Sequence, residues 1–110
     1  MNRVCAQTIS EIDLWAKANS NDAYYPYRAL LRETKRLEHL RPPPGERQAF
    51  AAFVSTTHQG ADVTRELIQA PPEELRRVHK GGKRVAIRGS ELARRLGAIT
   101  CAAQARGSAH

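Results

Sequence analysis

The sequence predicts an all-α protein, an up-down-up-down four-helix bundle whose N- and C-terminal ends are joined by one disulfide. Three observations predict it. Apolar residues recur at three- and four-residue steps along four segments. Clusters of asparagine or proline divide those segments. The two cysteines, Cys5 and Cys101, stand where such a bundle brings the start of the first helix and the end of the last to one end.

Composition agrees with this class. A chain of 110 residues suits one domain. Its 41% hydrophobic content is ordinary for a globular protein and too high for a disordered one. With one Trp, two Phe and three Tyr, the core has to be built from Leu, Ile, Val and Ala, which suits helices better than sheets.

The first helix is expected over residues 3–19, where Cys5, Ile9, Ile12 and Ala16 share a stripe with Val4 and Trp15 at its margins. Asn19-Ser20-Asn21-Asp22 ends it, because these side chains compete for backbone hydrogen bonds and favour turns. Pro26 then suits the first turn of a second helix, where a missing N–H has no partner to lose. Tyr27, Leu30, Leu31, Thr34, Leu37 and Leu40 form its apolar face, with Arg28, Arg32, Glu33, Lys35, Arg36 and Glu38 on the remainder. Prolines 42–44 terminate it.

A third helix begins near Pro44-Gly45-Glu46 and carries Phe50, Phe53, Val54, Thr57, Ala61, Thr64 and Ile68 on one face. Pro71-Pro72 separates it from a fourth, whose first turn holds Glu73 and Glu74 against the positive end of the helix dipole. In that helix Leu75, Val78, Gly82, Val85, Gly89, Leu92 and Leu96 alternate steps of three and four, a heptad seam. Gly81-Gly82 could instead break it and leave a short strand over 83–88. The unchanged register across the glycines favours one continuous or kinked helix, capped by Gly97. The expected core is Ile9, Ile12, Leu30, Leu37, Phe50, Phe53, Val54, Ile68, Leu75, Val78, Val85, Leu92 and Leu96. The domain is expected to span 3–102, followed by a flexible tail over 103–110.

A Cys5–Cys101 bond follows from the topology rather than being assumed by it. Closing so long a loop stabilises a fold by about 4–5 kcal/mol in the chain-entropy model. Two separate buried thiols in a cytosolic protein are the alternative. A zinc site lacks a second pair of ligands at suitable spacing.

Cys5, Leu40-Arg41-Pro42-Pro43, Phe50 with Phe53, Leu96-Gly97 and Cys101-Ala102 form an ordered pattern across residues 4–102. This pattern resembles small exported helical domains of high-GC Gram-positive bacteria. The resemblance implies a helical fold, export behind a signal peptide or lipoprotein anchor, and an activity that is generally unassigned. Met1-Asn2-Arg3 lacks the apolar core of a leader. The expected location is therefore extracytoplasmic, with any leader removed ahead of Met1, and cytoplasmic residence is the alternative. No apolar run approaches the roughly 20 residues that a membrane-spanning helix needs.

No catalytic, metal or cofactor motif stands out. None of His39, His58, His79 and His110 sits in a Cys-x-x-Cys-His, Glu-x-x-His or His-Glu-x-x-His spacing. His39 and His79 read as solvated, and His58 as a hydrogen-bonded boundary residue. Ser55-Thr56-Thr57-His58 lacks an orienting third group, and neighbours on a helix point apart. Gly81-Gly82-Lys83 lacks the spacing of a phosphate-binding loop. Tyr24, Tyr25 and Tyr27 read as packing over a loop. No catalytic residue, metal or cofactor is expected.

Charge is the clearest functional signal. Residues 76–95 hold eight Lys/Arg and one acid, Glu91, for +7, while the other ninety residues hold ten of each sign. One segment thus carries the whole excess. Arg76, Arg77, Lys80, Lys83, Arg84, Arg88 and Arg95, with Arg94, fall off the seam and are expected to face solvent as an anion-contact strip. The expected role is a non-enzymatic binding or structural module, monomeric or weakly oligomeric. Its partner would be an anionic envelope polymer, lipid headgroup or acidic protein. The alternative is an intracellular protein using residues 76–95 on nucleic-acid phosphates. That reading lacks aromatics interleaved with the basic residues for base stacking.

Overall fold

The computed structural model describes residues 1–108 and is built of helices: α1 (Asn2–Lys17), α2 (Tyr25–Glu38), α3 (Arg47–Gln69), α4 (Leu75–Arg95) and α5 (Ile99–Ser108). A 3₁₀ turn over Pro72–Glu74 leads into α4. Helices α1 to α4 alternate in direction, as the short connections require. Side chains that meet across each pair show it: Glu11 with Arg32 and Arg36, Thr34 with Thr57, and Glu46 with Arg95. Helix α4 runs through Gly81-Gly82 without a break.

The bundle has a helix more than the sequence showed. Residues 103–108, expected to be a flexible tail, continue α5; residues 109–110 lie outside the described residues. The reversal that starts α5 is a Schellman cap. Gly97 takes φ +75°, its N–H donates to the Arg94 carbonyl at 3.0 Å, and the Ala98 N–H donates to the Ala93 carbonyl at 2.8 Å. From there α5 runs parallel to α1 and packs on both α1 and α4. Cys101 therefore lies near the start of α5 rather than at the end of α4. It is bonded to Cys5 near the start of α1, with Cα atoms 5.2 Å apart. Asn2 adds a second tie, its Oδ1 accepting from the Thr100 N–H at 3.0 Å.

The core is concentrated at this disulfide end. Cys5, Leu37, Phe53, Ala93, Ala98, Cys101 and Ala102 form one buried cluster, with Met1, Val4, Leu40, Val54, Leu92 and Leu96 packed against it. Phe50 and Val78 are buried as expected, and Ile12, Leu30, Ile68 and Val85 are half-buried. Ile9 and Leu75 depart from expectation, at 41% and 40% exposed. Leu75 sits at the first residue of α4, at the end of the helix. Ile9 is uncovered because α1 packs only on α2 and α5, so its buried face is narrower and turned toward Thr8.

At the opposite end the loop joining α1 and α2 is fastened by aromatic rings. Trp15 stacks on Tyr25 with centroids 6.3 Å apart, and its indole N–H donates to the Asp22 carbonyl at 2.9 Å. Arg32 lies over Tyr25 and Arg65 over Tyr27, at 5.5 and 5.7 Å from the ring centroids. Arg28 pairs with Asp22. Tyr25 thus packs over the loop, while the exposed Tyr24 accepts from the Gln69 amide of α3 and Tyr27 lies against Arg65 of α3.

Candidate functional site

Beside the core cluster of the disulfide end, the interior is hollow. A cleft of about 180 Å³ lies between α2, α3, α4 and α5. Leu30 and Glu33 of α2, Phe53, Thr56, Thr57, Gly60, Val63, Thr64 and Leu67 of α3, and Cys101, Gln104 and Ala105 of α5 line it. Helix α4 contributes Gly82, Val85, Ala86 and Gly89, with the exposed His79 and Lys83 at the rim. A broader bowl of about 600 Å³ lies alongside, walled by Ile9, Ile12 and Ala16 of α1, Pro26 of α2 and Ala103 and Gly107 of α5. Leu30, Thr64 and Gln104 belong to both and form the partition between them.

The hollow follows from side-chain size. Helix α4 buries Val78, Ala86, Gly89, Ser90 and Ala93, a stripe of small residues that draws its backbone close to α3 and α5. Small side chains bring helices together but leave little to fill the space between them. Facing this stripe, α2 presents a carboxyl group instead of a hydrocarbon.

Glu33 is 2% exposed and is among the largest fully buried side chains. As a charged residue it is expected off the apolar face of α2, and the structure corrects this. Its Oε2 accepts a hydrogen bond from the Gln104 amide at 3.4 Å, while Oε1 has no partner among the described residues. Of the nearby hydroxyls, Thr8 also acts on the Glu33 carboxyl, and the others lie within hydrogen-bond distance of carbonyls of their own helices. Thr8 donates to Val4 at 3.3 Å, Thr34 to Leu30 at 2.9 Å, Thr56 to Ala52 at 2.8 Å, Thr57 to Val54 at 2.7 Å and Thr64 to Gly60 at 2.9 Å. Inside the rim, the donor that reaches Glu33 is the Gln104 amide, and the threonine oxygens add acceptors.

Burial pushes the Glu33 carboxyl up to about 7, against the opposing effects of the Gln104 amide and the adjacent Thr8. The negative charge of Glu11 adds to the rise, and Arg36 works against it. Glu11 behaves in the opposite way. Burial would raise it, but hydrogen bonds from Arg32 at 2.9 Å and Arg36 at 3.2 Å outweigh burial and hold it below the usual carboxylate range. Two carboxyl groups on adjacent helices thus differ in state because one has guanidinium partners and the other has none.

No family model, curated protein or solved structure matches this chain. Among the described residues, no group of three or more His, Cys, Asp and Glu could hold a metal ion, and no helix is long and apolar enough to cross a membrane.

The residues singled out by charge all lie on α4. Arg76, Arg77, Lys80, Arg84, Arg88 and Arg95 are exposed, turned away from the side of the helix that carries Val78, Gly82, Ala86, Gly89 and Ala93, and the exposed Lys83 stands at the rim of the cleft. Arg77 pairs with Glu74 at 3.2 Å, and Arg95 with Glu46 at 3.1 Å. Among the described residues, no carboxylate lies within 4.0 Å of the other five. The exposed Ile87 stands among them at 48%.

Proposed function

We propose that the protein is a non-enzymatic, extracytoplasmic binding module whose outer α4 face contacts an anionic envelope polymer. One observation carries the reading: the whole charge excess of the chain falls on a single helix, on side chains that are exposed and mostly without carboxylate partners. Seven cations spread along roughly 28 Å of helix, with neighbours about 5–6 Å apart, suit a linear array of phosphates or carboxylates better than a compact ligand. Solubility alone favours a face of mixed sign. The location is supported by the Cys5–Cys101 bond, since disulfides persist in oxidising compartments.

Retention on heparin tests it. Replacing Arg77, Lys80, Arg84 and Arg88 by Gln removes four cations from +7 and leaves +3. A control variant makes the same change in net charge elsewhere, at the exposed Arg3, Lys35, Arg41 and Arg106. The α4 variant should elute at much lower salt than the control, with a shallower dependence of affinity on salt. Equal elution of the two would refute an α4 contact face. Tighter binding to duplex DNA than to an anionic polysaccharide at matched salt would move the reading to nucleic acid.

A further inference from the structure

We propose that the cleft between α2, α3, α4 and α5 binds a small primary amine with an apolar body, its ammonium group paired with Glu33. The site lies on the inward side of α4 and does not depend on the outer-face reading. Its geometry sets the ligand's chemistry. The Glu33 side chain is 2% exposed, forms part of the cleft wall and keeps one oxygen without a partner. A buried carboxyl is costly unless it is paired and hydrogen-bonded, and the chain completes neither here.

The groups around it select a donor. The hydroxyls of Thr56 and Thr64 donate to backbone carbonyls, which leaves their oxygens as acceptors, while Thr57 is shared between the Val54 carbonyl and the Thr34 hydroxyl. An ammonium group brings three donors and no acceptor. It also supplies the positive charge that Glu33 lacks, since the nearby arginines of α2, Arg32 and Arg36, are engaged by Glu11. Leu30, Phe53, Val63 and Val85 make the interior wall apolar, with His79 and Lys83 confined to the rim, and this interior suits a hydrocarbon body. The volume of about 180 Å³ sets its size. A cavity of roughly 150 Å³ accommodates benzene, so one ring or a short alkyl chain fits.

Titration of the full chain with benzylamine, and separately with benzyl alcohol of nearly equal size, followed by NMR, tests the proposal. Benzylamine should give saturable shifts at Phe53, Val63, Val85 and Ala105, with the alcohol at least tenfold weaker. Glu33→Gln keeps the shape and removes the charge, so it should weaken the amine at least tenfold and leave the alcohol unchanged. Gly60→Leu places a side chain where an added Cβ meets no atom within 4 Å and should abolish both titrations with Glu33 intact. This second variant decides the matter if the first fails to fold. Absence of saturable shifts at millimolar amine would overturn the proposal. So would shifts confined to exposed acids, unchanged affinity in Glu33→Gln, or unchanged affinity in Gly60→Leu. The four replacements on the outer face of α4 do not touch the cleft, so the two readings fail separately.

Discussion

Gly81 and Gly82 are neighbours on α4, and changing each to Ala separates helix propensity from packing. Inside a helix, Ala is better than Gly by about 0.8–1 kcal/mol, and this gain is the same at both positions. At Gly81 the added Cβ meets nothing within 4 Å, so the gain should be realised. At Gly82 the same atom would lie 2.7 Å from Val63 Cγ1, closer than carbon atoms can pack. Val63 is β-branched and held to one rotamer on its helix. The contact can be relieved only by straining that rotamer or pushing α3 away from α4. Overpacking of this kind costs about 1–3 kcal/mol, which offsets the propensity gain and leaves a net loss of up to about 2 kcal/mol. The two variants should therefore differ by about 1–3 kcal/mol. For a domain of this size that is roughly 4–12 °C in Tm, at about 4 °C per kcal/mol. Thermal unfolding followed by circular dichroism measures it, with Gly81→Ala above the parent and Gly82→Ala at or below it. Adding Val63→Ala to Gly82→Ala should recover more stability than additivity allows. If Gly82→Ala raises Tm as much as Gly81→Ala does, α3 and α4 are not in close approach there, and the account of the small-residue stripe is wrong.

Reduction of the disulfide should release a closure of 96 residues in separation, costing about 4–5 kcal/mol in the chain-entropy model. A fall in Tm of roughly 15–20 °C on adding dithiothreitol is expected, and an unchanged Tm would show that the other contacts between α1 and α5 suffice. Glu33 should impose a pH dependence of the opposite sign to that of most carboxylates. Between pH 4.5 and about 7 the unfolded chain has released this proton while the folded chain still holds it, so this group's contribution to stability falls as pH rises and levels off above about 7. Glu33→Gln should consequently match the parent near pH 4.5 and exceed it by about 3 kcal/mol at pH 8 in urea unfolding; a constant difference across that range would contradict the burial argument.

Much of the fold is legible in the sequence because it depends on large residues and on punctuation. The apolar spacing through Leu30, Leu37, Phe50, Phe53 and Val78 names faces that are indeed buried or half-buried, and the proline clusters fall between helices. Helix α5 is hidden because Ala98, Cys101, Ala102 and Ala105 do keep a three- and four-residue spacing, but in side chains too small to stand out from their surroundings. Gly97 is the cap that its position suggests, but it does not end the helical part of the chain. A Schellman cap reverses the chain direction, and either coil or helix can come after it. Ile9 shows the complementary error: its spacing is right, but α1 has only two neighbours, so the covered stripe is narrower than the apolar one.

Glu33 escapes a sequence reading for a different reason, and that reason bears on function. Its position is legible, because 30, 33, 34 and 37 are spaced by three, four and seven on the face that α2 turns inward. Only its identity argues for solvent. A leucine there would fill space, remove an unpaired acceptor and cost the fold nothing in desolvation, so stability alone does not account for a carboxyl group. Nor does the rest of the wall compensate for it. Gly60 leaves the adjacent volume open, and Gln104 reaches one oxygen but not the other. Holding its proton up to about pH 7 relieves part of that cost, and the proposed ammonium group would offset it when the carboxyl is charged. An acid in a core position, flanked by small residues on the facing helices, therefore carries more weight as a sign of a binding site than His39, His58 or His79, none of which is buried.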